Sequence, residues 1–208
     1  MTKSGFSAEP IAGFRHTQPV SLELLDWRRR VAVLYREVRA LADPAVAHEH
    51  WVAGRAKLFA THPQSADRDA RLRYAPYDAR WRFEVELQAT PDQHMEIPTA
   101  TDGVVPFERI GCVALGEVGS LDVWWLASYG GGIWLPIRDA NPDTYGGGRY
   151  VLDTVKGADL GGDGNTLVVD LNFAYNPSCA YDEAWACPLA PPGNVVSVPV
   201  EAGELVPG

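Results

Sequence analysis

Three groups of residues have the types and spacing to do chemistry. The segment LVVDLNF, residues 167–173, reads as a strand with Leu167, Val169, Leu171 and Phe173 on one face and Val168, Asp170 and Asn172 on the other. A carboxylate and an amide projecting together offer acceptors and donors to a polar ligand. A second segment, RDANPDTYGGGRY, gathers Asp139, Thr144, Tyr145, Arg149 and Tyr150 around three consecutive glycines. Glycines let a partner approach the backbone closely, and Arg149 supplies a planar cationic fork. The third, NFAYNPSCAYDEAWACPLAPPGN, adds Tyr175, Asn176, Cys179 and Cys187 on a backbone stiffened by prolines.

Several chemistries fit these residues. In the leading one, Arg149, Asp170, Asn172 and Asn176 orient a small polar or anionic molecule, with Asp139, Thr144 and Cys179 beside it. Tyr145, Tyr150 and Tyr175 form its walls. A second is enzymatic, a hydrolase or thiol-dependent enzyme. Its candidate catalytic groups are Cys179, an Asp139/Asp170 carboxylate pair, and His62 as the base for a thiol. A third is purely structural, with the clusters satisfying one another and Arg149 pairing with Asp170.

Other chemistries are excluded or weak. Cys179 and Cys187 have seven residues between them and lack zinc-ribbon spacing, and His48 and His50 point apart on a helix, so no metal is expected. Three cysteines cannot all pair internally, and a reversible disulfide between Cys179 and Cys187 stays open. The P-loop and the nucleophile-elbow pattern are absent, and GADLGGDGNTL is a single glycine-rich copy of a calcium repeat that works only in tandem. No cofactor is expected.

The 208 residues carry a net charge of −9, which disfavours a nucleic-acid partner. The start, MTKSGFSAEP, has no apolar signal core, and no apolar run nears the roughly 20 residues that cross a bilayer. The expectation is a cytoplasmic protein with no membrane partner.

These side chains need a frame. Residues 1–20 read as a loose leader. Leu24, Trp27, Val31, Leu34, Val38 and Leu41 recur at helical spacing after a capping Ser21, and Asp43–Pro44 opens a second helix to about Phe59. This hairpin, 21–62, is expected to pack on the core; a homodimer through the first helix is the alternative. From Trp81 the period becomes two. Further strands are expected at His94–Ile97, Val104–Leu115, Leu121–Tyr129, Ile133–Ile137, Arg149–Asp153, Leu167–Phe173 and Val195–Val200. No helix-length segment separates them, so the sheet should be antiparallel. LDVWWLASY is apolar on both faces, with Leu121, Val123, Trp125 and Ala127 opposite Trp124 and Leu126. The predicted fold is mostly β (α+β): an antiparallel β-barrel or curved β-sandwich over 63–208, with two N-terminal helices packed on it and a proline-rich C-terminal loop.

Four stretches, HWVAGRAKLFATHPQS, VPFERIG, LPIRDANPDTYGGGRY and DLNFAYNPSCAYDEAWACPLAPPGN, together resemble the bacterial domain of unknown function numbered 1684. The resemblance runs from about Leu22 to Glu204. Departures are Ala56, where an Asp is expected, and Gly193, where a Glu is expected. The resemblance implies a shared architecture and a shared site of Asp139, Thr144, Tyr145, Arg149, Tyr150, Asp170, Asn172, Asn176, Cys179 and Cys187. It implies no activity.

Overall fold

Two helices lead into two antiparallel sheets. The computed structural model describes residues 18–99 and 103–208; the leader expected over 1–20 lies outside the described residues up to 17. Helix α1 spans Gln18–Ala40 and α2 spans Pro44–Thr61. Asp43 caps α2 as its sequence predicts, its Oδ1 accepting from the amides of Ala45 at 2.9 Å and Val46 at 3.4 Å. Ser21 does not cap α1. That helix begins three residues earlier, at Gln18–Pro19, because proline lacks only an amide that the first turn leaves free anyway. Leu34 and Val38 of the predicted stripe are buried, whereas Leu41 at the end of the helix stays 39% exposed.

The strands are β1 (Arg82–Glu86), β2 (His94–Thr99), β3 (Gly103–Ala114), β4 (Ser120–Leu126), β5 (Ile133–Ile137), β6 (Arg149–Asp153), β7 (Gly162–Asp163) and β8 (Thr166–Asp170). They form a three-stranded sheet, β1-β8-β7, and a five-stranded sheet, β2-β3-β4-β5-β6. Every strand pair is antiparallel. Neither sheet closes, so the barrel reading is corrected and the curved-sandwich reading holds. One reason is the segment Val195–Val200. It forms no strand, and its only bridge is the parallel one from Val195 to Arg138. Beyond that bridge the Val200 amide goes to the Asp139 side chain instead of to a backbone carbonyl, so no regular ladder follows. An isolated antiparallel bridge, Gln88 to Cys112, links the chain just past β1 to β3 of the larger sheet. Gly111 beside it has no side chain for a physical reason: a Cβ would stand 2.5 Å from the Gln88 carbonyl oxygen.

Apolar packing explains the layering. Val113, Leu121, Val123, Leu135, Ile137 and Val151 of the larger sheet meet Val169 of the smaller one and Leu34, Val38 and Trp51 of the helices in one core. The opposite face of the larger sheet holds a second cluster of Phe107, Trp124, Trp134 and Tyr150. The doubly apolar β4 is therefore covered on both faces, as its sequence predicts. Trp125 departs from that expectation and is 39% exposed, near the end of the strand.

Candidate functional site

Arg149 opens β6 and is fully buried, at 0% exposure. Its Nη2 donates to Asp139 Oδ2 at 2.8 Å, and its Nη1 donates to the carbonyls of Glu204, at 3.1 Å, and Ala202. Asp139 is occupied as well. Its Oδ1 accepts from the amides of Asn141 at 3.0 Å and Val200 at 3.1 Å, and Thr144 donates to Oδ2 at 3.3 Å. The ion pair thus ties the 139–149 turn to the C-terminal segment. Burial pulls the Arg149 pKa below the ordinary arginine value, and Asp139 opposes that shift.

Glu204 is the second hub, also at 0% exposure. Its Oε2 accepts from Arg55 of α2 at 2.9 Å and from the Asn176 amide at 2.7 Å, while the Tyr181 hydroxyl donates to Oε1. Arg55 lies between two rings, 4.5 Å from the centre of Phe59 and 4.8 Å from that of Tyr175. Burial works against its charge, yet Glu204 together with Tyr74 and Tyr181 more than offsets this and the pKa stands well above the usual range. Asn176 donates through Nδ2 to the Leu205 carbonyl at 2.8 Å. Gly203 makes this crowding feasible. Its φ is +76°, and a Cβ there would lie 2.7 Å from the Ala174 carbonyl oxygen.

Asp170 ends β8 in a different setting. The chain turns there into a 3-10 turn, Leu171–Phe173, so the predicted strand stops three residues early. Asp170 Oδ1 caps that turn, accepting from the Asn172 amide at 3.0 Å and from Asn172 Nδ2 at 2.7 Å. Asn172 also holds Asp78, donating to its carbonyl at 2.9 Å and accepting from its amide at 3.0 Å. Asp170 is only 1% exposed, and its Oδ2 has no partner in close hydrogen-bond geometry, although the Tyr77 hydroxyl stands beside the carboxyl and interacts with it. Burial pushes the Asp170 carboxyl up to about 6, against the pull of Asn172 and Arg82.

Asp170 lines a cavity of about 350 Å³ between the helices and the smaller sheet. Val38, Leu41, Leu160 and Phe173 give it apolar walls, and Arg39 and Arg82 add two cations. Arg82 is the register partner of Asp170 across β1 and β8, which puts both on one face of the sheet. A groove of about 360 Å³ between α1 and α2 is similar in size, but its charged lining residues, Arg29, Arg30, Glu37 and Lys57, are all exposed to water.

The aromatic and sulfur groups form a third neighbourhood. The Tyr145 hydroxyl donates to Cys179 Sγ at 3.7 Å, and the Tyr150 hydroxyl donates to the Pro188 carbonyl. Burial, then Cys179, pushes the Tyr145 hydroxyl up to about 12, and burial pushes the Cys187 thiol up to about 11. His62 is engaged elsewhere. One ring nitrogen accepts from the Gln64 amide at 3.1 Å, and the other lies 3.2 Å from Asp26.

The structure therefore brings Asp139, Thr144, Arg149 and Asn176 to one buried network through Glu204, and it puts Tyr145 and Cys179 together. Asp170 and Asn172 pair with each other and share no hydrogen-bond partner with Asp139. Sequence reasoning missed Arg55, Glu204, Arg82 and Asn194. Asn194 is fully buried and clamps the end of the proline-rich segment to the larger sheet. It accepts from Trp124 Nε1 at 2.9 Å and donates to the carbonyls of Asp122 at 2.8 Å and Pro136 at 2.9 Å. A charged residue inside the small, apolar run AGELV was the one available signal for Glu204.

With this geometry in hand, comparison with known proteins is informative. The model of a family described as "Protein of unknown function (DUF1684)" matches residues 70–205. The chain belongs to the DUF1684 family. The match is shorter than the stretch from Leu22 that the sequence motifs indicate. It covers the DUF1684 residues Asp139, Arg149, Asp170 and Glu204 and leaves α1, α2 and Arg55 outside. A solved structure of an uncharacterised protein from Haloarcula marismortui, determined by solution NMR, is 27% identical, with a TM-score of 0.48. That similarity covers 70% of this chain and 82% of the other. No curated protein matches. No helix among the described residues is long and apolar enough to cross a membrane.

Proposed function

We propose that this DUF1684 domain binds a small polar molecule in the cavity beside Asp170. One observation carries the reading: a buried carboxylate oxygen, Asp170 Oδ2, has no partner in close hydrogen-bond geometry, with only the Tyr77 hydroxyl near the carboxyl, and it belongs to a residue lining a cavity of about 350 Å³. Buried polar groups are ordinarily paired, so an unpaired one beside a space points to a missing donor. The ligand would donate to Oδ2 and lay a short apolar body on Val38, Leu41 and Phe173. Arg39, held by Asp159, favours an anionic group elsewhere in the lining, whereas Arg82 lies directly across from Asp170 and pairs with Glu84. A compact molecule with a donor at one end and a carboxylate or phosphate at the other fits this lining. In this reading Arg149 keeps the frame rigid, because Asp139 and two carbonyls already occupy its fork.

The test is thermal shift against a library of amino acids, hydroxy acids and phosphorylated small metabolites. Binding predicts that at least one compound raises the melting temperature of the wild type and fails to raise that of Asp170→Asn. If no compound shifts the wild type, the binding reading falls. A purely structural role then becomes the better account, favoured by the mutual satisfaction of Arg149, Asp139, Glu204 and Arg55.

A further inference from the structure

The binding reading makes no use of the cysteines in the proline-rich loop, yet the loop turns two thiols toward each other. Cys179 lies in the short turn Ser178–Ala180, and the Cys187 thiol neighbours both its backbone and its side chain. Two tyrosines hold the pair in place. Tyr145 donates to Cys179 Sγ at 3.7 Å, and Tyr150 donates to the carbonyl of Pro188, the residue after Cys187. Both cysteines are free and half-buried, so neither is sealed from a small reagent. The intervening segment carries Asp182, Glu183, Ala184 and Ala186 on the surface, while Tyr181 anchors its start to Glu204 and Phe59.

We propose that Cys179 and Cys187 form a redox dithiol, which low-molecular-weight disulfides convert into an intrachain disulfide. Cys179, as the thiolate, attacks one sulfur of the small disulfide. The S–S bond breaks, a mixed disulfide forms on Cys179, and one small thiolate leaves and takes up the proton Cys179 released. The Cys187 thiolate then attacks the Cys179 sulfur, expels the second small thiol and closes the Cys179–Cys187 bond. The protein loses two protons and two electrons, and the small disulfide gains both to become two thiols. Because burial raises the Cys187 thiol to about 11, the closing step quickens as pH rises. Oxidation takes the Cys179 sulfur out of its contact with Tyr145 and straps the loop across the end of β6.

The experiment treats the full folded chain with excess oxidised glutathione and reads the products by intact mass and peptide mapping. The expected wild-type product is lighter by two hydrogens, with free thiols falling from three to one and a mapped link between Cys179 and Cys187. Cys187→Ser should stop at a single glutathione adduct on Cys179, and Cys112→Ser should give the wild-type product. A persistent glutathione adduct on wild-type Cys179, a disulfide that includes Cys112, or native protein that stays fully reduced while the denatured chain reacts would each overturn the proposal. The wild-type readout needs no variant to fold, and it is blind to ligands at the Asp170 cavity.

Discussion

Arg149 and Asn176, 27 positions apart in sequence, meet on one residue: Arg149 Nη1 donates to the Glu204 carbonyl at 3.1 Å, and the Asn176 amide donates to the Glu204 carboxylate at 2.7 Å. The glycine-rich turn and the proline-rich loop do converge. They converge on the C-terminal segment, inside a packed network rather than around an open mouth.

Arg149 should accordingly behave as a structural cation. Arg149→Ala leaves the Asp139 carboxylate, 1% exposed, buried without its counter-charge. The expected loss is on the order of 3–5 kcal/mol, read by urea or thermal unfolding. An Arg149→Ala protein of wild-type stability would show that Asp139 finds another partner.

Glu204 should be equally sensitive. Glu204→Ala removes the acceptor for Arg55, Tyr181 and the Asn176 amide together, stranding a cation between two rings. Destabilisation of about 3–5 kcal/mol is expected. Because Arg55 lies on α2, amide exchange in that helix should quicken more than in β4.

Asp170 makes stability depend on pH. Its carboxyl sits at about 6 in the folded chain against 3.8 ordinarily, so between those values the folded state keeps a proton that the unfolded state has lost. The contribution is fully present below 3.8, falls as pH rises through about 6, and stays lost above it. The size is on the order of 3 kcal/mol, from about 1.4 kcal/mol per pH unit. Asp170→Asn keeps the oxygen that accepts from Asn172 and carries no charge. It should match the wild type near pH 3.5 and be the more stable protein at pH 7.5. Equal stability at both pH values would mean the carboxylate is better solvated than its burial indicates.

Asn194→Ala should loosen the proline-rich loop without touching the charged network. It leaves Trp124 Nε1 and the carbonyls of Asp122 and Pro136 without their partner. About 1–3 kcal/mol should be lost. Tryptophan fluorescence should shift with it, since Trp124 is otherwise sealed at 1% exposure.

Strands β5 and β6 fall where the apolar pattern puts them, Ile133–Ile137 and Arg149–Asp153. Asp43 caps α2 because its acceptor lies two residues from the amide it serves. Such features depend on neighbours along the chain, and the sequence by itself determined them: two helices, antiparallel strands, and the polar segments around Arg149 and Asp170. Only the tertiary structure decided what those polar groups bind. Arg55 and Glu204 are 149 positions apart, and no local pattern announces that a helix guanidinium will meet a carboxylate in the C-terminal tail. The same holds for sheet closure, where Val195–Val200 looks like a strand by composition but meets only Arg138 and Ala140, beyond the end of β5. Periodicity reports which face of an element is apolar, and it cannot report which distant element covers that face or neutralises a charge upon it.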